Sequence, residues 1–113
     1  MTFEEAAAKA LKFREERDWA QFHNPKDLAI SISLEAAELL EVFQWSGTDV
    51  TVSKKQNCMS EELADVVIYC IYLADTIGID LSEAVDAKID INSQKYPIEK
   101  SRGNSKKYTE LES

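Results

Sequence analysis

The sequence predicts an all-α fold, an antiparallel four-helix bundle assembled as an oligomer. Three observations predict it. Only three glycines and two prolines interrupt 113 residues, which favours long helices over many short strands. Hydrophobic residues make up 44% of the chain, enough for a packed core. Four segments with helix start or stop signals follow one another through short breaks, the pattern of a bundle with short links. The length suits one domain. We assign residues 1–96 to the helical domain and residues 97–113 to a basic C-terminal tail, expected to pack on a neighbouring subunit.

Each element has a local reason. Thr2 with Glu5 forms a capping box, which opens a first helix from about Phe3 to Trp19. The stretch "QFHNP" breaks the pattern. Asn24 suits an N-cap and Pro25 the first helical position, so a second helix should run from Pro25 to about Trp45. "SGTDVTVSKKQN" has no clear period and reads as a loop with at most one helical turn. Ser60, Glu61 and Glu62 open a third helix near residues 58–60, because acids in a first turn favour the helix dipole. It should reach about Thr76 and stop at Gly78. Asp80 with Glu83 caps a fourth helix, which Pro97 ends after about Tyr96. The third helix, "LADVVIYCIYLA", is apolar nearly all the way round and needs cover on several sides. A deeply central position or oligomerisation would provide it.

The net charge of −8 argues against a nucleic-acid partner, since duplex binding needs a basic surface. Cys58 and Cys70 are not a C-x-x-C pair and His23 stands alone, so neither a structural zinc site nor a disulfide framework is expected. No apolar run approaches ~18 residues and no signal-peptide pattern opens the chain. The expectation is a soluble cytoplasmic protein with no membrane partner.

The chemistry should lie in the acids of "ISLEAAELLEVFQW". Glu35 and Glu38 are three residues apart, so both carboxylates reach one region of a helix surface. Glu62 and Asp65 repeat the spacing on the third helix. If the two helices are antiparallel neighbours, the pairs can meet at one level. Four carboxylates together repel strongly. A hard divalent cation removes that cost, and Mg²⁺ suits oxygen ligands. A single E-x-x-E pair is ordinarily a solvated face. Two pairs in apolar sequence on consecutive helices leave both readings standing. Redox iron is disfavoured because Glu-x-x-His pairs are absent. Helical spacing would put Trp45 on the acid face, ~10 Å beyond Glu38, and Tyr69 on the face of Glu62 and Asp65. Either aromatic could be core or a platform for a base. Lys88, Asn92 and Lys95 share one face of the fourth helix, either a solvated basic face or donors to phosphates.

E-x-x-E, 23 intervening residues, E-x-x-D, then K-x-x-x-N-x-x-K resembles the all-α nucleotide pyrophosphohydrolases of the MazG-like superfamily. The blocks "FREERDWAQFHNPKDLA", "EAAELLEVFQW", "EELADVVIYCIYLA", "KIDINSQKYP" and "KKYTEL" look most like its dCTP pyrophosphatase branch, over roughly residues 10 to 111. The resemblance implies a helical bundle of the MazG-like type and an obligate homo-oligomer, commonly a tetramer built as a dimer of dimers. It implies a nucleoside triphosphate substrate, dCTP or a modified dCTP, and Mg²⁺ held by Glu35, Glu38, Glu62 and Asp65. It suggests His23, Trp45 and Tyr69 around the base, and Asn92 with Lys88 and Lys95 around sugar and phosphates. Hydrolysis would proceed by in-line attack of water on the α-phosphorus, with Glu38 or Glu41 as base. The competing class is a non-catalytic helical oligomer whose acidic face binds a protein partner.

Overall fold

In a computed structural model, which describes residues 1–111, the chain is all-helical, with no strand among the described residues. It forms two compact units, residues 1–78 and the segment from Ile79 onward.

The first unit holds α1 (Phe3–Glu16), α2 (Pro25–Glu41) and α3 (Gln56–Ile77), with 3₁₀ turns at Trp19–Phe22 and Ser53–Lys55. Its caps follow local chemistry. The Glu5 amide donates to Thr2 Oγ1 at 3.1 Å, and the Asp27 amide donates to Asn24 Oδ1 at 2.9 Å. Pro25 occupies the first turn of α2, where its missing N–H costs nothing. Gly78 adopts φ +74° and ends α3 in the left-handed region that glycine enters without steric cost.

Two helices end before the sequence spacing suggests. α1 stops at Glu16 rather than Trp19, because Asp18 turns left-handed at φ +52°. α2 stops at Glu41 rather than Trp45. Residues 42–45 continue as tight turns, and Trp45 itself sits at φ +66°. Positive φ is costly for a bulky residue. Conversely, α3 begins two to four residues earlier than its acids suggest, at Gln56.

α3 packs against both α2 and α1. Leu28, Val42, Val52, Ile71, Tyr72 and Ala74 form the core. That core is small for the apolar content of the chain. Leu34, Leu40, Leu63 and Trp45 are exposed, Trp45 at 93%. Among the described residues Arg14 is the one buried charged side chain, only 4% exposed. Its guanidinium donates to Asp75 Oδ2 at 2.6 Å and Glu15 Oε1 at 2.9 Å and lies 5.4 Å from the Tyr72 ring centre. Burial opposes its charge, but the bonds to Asp75 and Glu15 more than offset this and its pKa is raised.

The second unit holds α4 (Leu81–Lys95), the short α5 (Ile98–Ser101) and a 3₁₀ turn at Tyr108–Glu110. Asp80 caps α4 by accepting the Glu83 amide at 3.1 Å. Among the described residues no helix is long and apolar enough to cross a membrane.

Candidate active site

The neighbouring helices α2 and α3 bring their acids together. Glu35, Glu62 and Asp65 each offer a carboxylate oxygen, and these oxygens all lie within 4.8 Å of one another. Glu38 is within hydrogen-bonding reach of Glu35 and of Glu62. Oε2 of Glu35 and Oε2 of Glu62 are shielded from solvent and have no hydrogen-bond partner. A buried acceptor without a partner carries a desolvation penalty.

The electrostatics record that penalty. Desolvation, Glu38, Asp65 and Glu62 push the Glu35 carboxyl up to about 7. Desolvation, Glu38, Asp65 and Glu61 likewise raise Glu62. These groups therefore resist ionising together, and a cation is the natural remedy. The donors are all hard oxygens with two unsatisfied atoms, a set that fits a hard divalent ion and suits neither thiophilic metals nor a structural zinc site.

Tyr69 lies one turn beyond Asp65 on α3. Burial and the charges of Glu35, Asp65 and Glu38 raise its pKa, which places its phenol in the field of the acids. Its ring meets Tyr72 edge-on at 5.9 Å. His23 packs against Tyr72 at 5.2 Å, with Nδ1 buried and unpartnered. Burial and nearby Arg14 lower its pKa, so the imidazole is neutral at pH 7.

Other predicted site residues are placed differently. Glu41 is the exposed last residue of α2 and is not in the three-residue carboxylate group. Trp45 lies beyond the end of α2, so helical spacing does not govern its direction. Lys88, Asn92 and Lys95 lie on α4 in the second unit. There Lys95 Nζ sits 4.8 Å from the centre of the Tyr108 ring.

An apolar groove of about 650 Å³ runs between α1 and α3, within the usual size range for small-molecule sites. Phe13, Trp19, Ile68 and Tyr69 line it, and Asp65 borders it as well. Phe13 and Trp19 meet edge-on at 5.6 Å. Groove and carboxylates thus share Asp65. Sequence reasoning passed over Trp19, which lies in "ERDWAQF" with no periodic partner. Arg14 falls on the helical spacing of α1, but nothing in that spacing marks it as a buried partner of Asp75. Only the folding of α1 onto α3 gives either residue its role.

The sequence pattern of the MazG-like family matches residues 30–111. Its span includes both acid pairs and the basic face of α4. The chain belongs to the MazG-like family. Similar proteins include dCTP pyrophosphatase 1 of Mus musculus, 41% identical over 115 aligned residues that cover 97% of this chain and 68% of the relative. The Homo sapiens protein of the same name is 40% identical over the same shares. Among solved structures, a pyrophosphatase from Archaeoglobus fulgidus superposes with a TM-score of 0.76 at 44% identity, covering 83% of this chain and 91% of that one.

Proposed function

We propose that this protein hydrolyses a nucleoside triphosphate to the monophosphate and pyrophosphate, with dCTP or a modified dCTP as substrate. One observation carries the reading: carboxylates from α2 and α3 converge within 4.8 Å, those of Glu35 and Glu62 each with a water-shielded, unpartnered oxygen, while Asp65 of the same cluster borders a groove of nucleotide size. The likeness to proteins named dCTP pyrophosphatase 1 supports the choice of base.

Glu35, Glu38, Glu62 and Asp65 would hold Mg²⁺. When bound, Mg²⁺ supplies charge neutralisation for the triphosphate and acidifies water. Glu38 is exposed and in reach of both shielded acids, so it can take a proton from the attacking water. The water oxygen bonds to the α-phosphorus in line. The bond from the α-phosphorus to the bridging oxygen breaks, and pyrophosphate leaves with its electron pair. Glu41, one turn on, orders water near the reacting centre. Tyr69, with Trp19 and Phe13 in the groove wall, confines the base, and His23 stands behind Tyr72. Lys88, Asn92 and Lys95 serve the sugar and phosphates.

The working form is a homotetramer of four-helix bundles, a dimer of dimers, with the C-terminal tail from residue 97 packed on a neighbouring subunit; residues 112 and 113 of that tail lie outside the described residues. The exposed Leu34, Leu40 and Leu63 support association, since monomers seldom leave so much large apolar surface open. Trp45 supports it too. A bulky residue at φ +66° and 93% exposed is strained without local compensation, and a partner subunit's base pocket would repay that strain. We place the enzyme in the cytoplasm, in nucleotide-pool housekeeping.

The test is pyrophosphate release from a panel of dNTPs and NTPs, with Mg²⁺ and with chelator. Mg²⁺-dependent release with monophosphate as co-product supports the reading, and the ranking names the base. No release from any triphosphate would overturn it in favour of an acidic partner-binding face.

A further inference from the structure

We infer that Tyr108 is a positioning residue that holds the Lys95 ammonium ready for a polyphosphate anion. The inference rests on the reading that Lys95 contacts substrate phosphates.

Lys95 is the last residue of α4. Its Nζ lies 4.8 Å from the centre of the Tyr108 ring, within cation–π range. Tyr108 is fixed in turn. Tyr96 meets it edge-on at 6.1 Å and 82°. The Glu110 amide donates to the Lys107 carbonyl at 2.8 Å and closes the turn that carries the ring. Upstream, Asn104 Nδ2 donates to the Lys100 carbonyl at 2.7 Å, and the Lys106 amide donates to Asn104 Oδ1 at 3.0 Å. Gly103 turns at φ +77° between them. These contacts return the tail to the end of α4.

The choice of partner matters. A carboxylate would order the lysine and cancel its charge. An aromatic face orders the ammonium and leaves the charge available, with N–H donors still pointing away from the ring. Both ion pairs among the described residues belong to Arg14, and neither involves Lys95. A free lysine loses rotamer freedom when it grips a phosphate. Lys95 has already lost part of it to Tyr108, so the anion meets a preorganised donor. The tail thereby becomes part of the phosphate site without touching the substrate.

The experiment is a double-mutant cycle on the full chain. Its readouts are competitive inhibition by inorganic triphosphate with Mg²⁺ and, separately, by deoxycytidine. Tyr108→Leu should weaken inorganic triphosphate by about two- to fivefold, the ratio an exposed cation–π contact provides. Deoxycytidine should be unaffected. Tyr108→Phe, which keeps the ring face, should bind triphosphate as wild type does. In a Lys95→Met background, Tyr108→Leu should have no further effect. Equal weakening in both backgrounds, or equal loss of deoxycytidine, makes Tyr108 merely structural and overturns the proposal. If Lys95→Met alone binds triphosphate like wild type, the premise about Lys95 fails, and the proposal with it.

Discussion

Glu35 should make cation affinity depend steeply on pH between 6 and 8. Its carboxyl sits at about 7 because it is desolvated and crowded by Glu38, Asp65 and Glu62. A divalent ion needs the ionised form, so it must displace that proton. With a pKa of about 7, roughly one Glu35 in eleven is ionised at pH 6 and about ten in eleven at pH 8. Apparent affinity should therefore fall about tenfold from pH 8 to pH 6 on this residue alone. Proton release on binding should be about 0.9 per ion at pH 6 and about 0.1 at pH 8. Isothermal titration calorimetry in buffers of different ionisation enthalpy measures both quantities. Glu35→Gln should flatten the profile while weakening binding at every pH. Affinity that varies less than about twofold over this range in the wild type would refute the assignment. Linkage also gives a stability effect with a definite sign. Between about 4.5 and 7 the folded chain holds a proton on Glu35 that the unfolded chain has lost. Without cation, the contribution of Glu35 therefore makes the fold less stable as pH rises through that window. A bound cation, which holds Glu35 ionised in the folded chain, should remove that dependence.

Three substitutions test other parts of the structure. Glu38→Gln should abolish pyrophosphate release with an unchanged circular dichroism spectrum, and turnover near wild type would sink its role. Trp45→Ala should raise KM more than it lowers kcat; at 93% exposure it should shift stability by no more than about 0.5 kcal/mol, and unfolding of the variant would return Trp45 to the core. Asp75→Ala leaves the buried Arg14 guanidinium with Glu15 as its one remaining ion-pair partner. It should cost about 1–3 kcal/mol in denaturant unfolding, discounted because Asp75 is partly exposed, and Arg14→Met with Asp75→Leu should restore much of the loss.

Local signals made most of the fold legible. Thr2, Asn24 and Asp80 each cap the helix their sequence context suggests, because a cap is a bond between residues three apart. The carboxylate pairs were readable for the same reason, since an i, i+3 spacing on a helix fixes where two side chains point. The early end of α2 was not readable. "LLEVFQW" keeps its apolar spacing up to Trp45, and no breaker precedes Gly47. The Arg14–Asp75 pair joins residues 61 apart in sequence, and only the packing of α1 on α3 creates it. The place of Trp19 in the same groove as Tyr69 is tertiary in the same sense.

The connection between α2 and α3 has a consequence for the order of folding. Asp49 Oδ1 accepts the amides of Thr51 and Val52 at 3.2 and 3.0 Å, so the loop is clasped by its own side chain. A self-clasped link between two packed helices that are consecutive in sequence closes early, because its own side chain offsets part of the chain entropy that opposes closure. That hairpin carries every carboxylate of the cluster. Its transition state must then bring like charges together before the rest of the chain can contribute. Protons or divalent ions should therefore speed folding as well as slow unfolding, by relieving that repulsion while the chain is still collapsing.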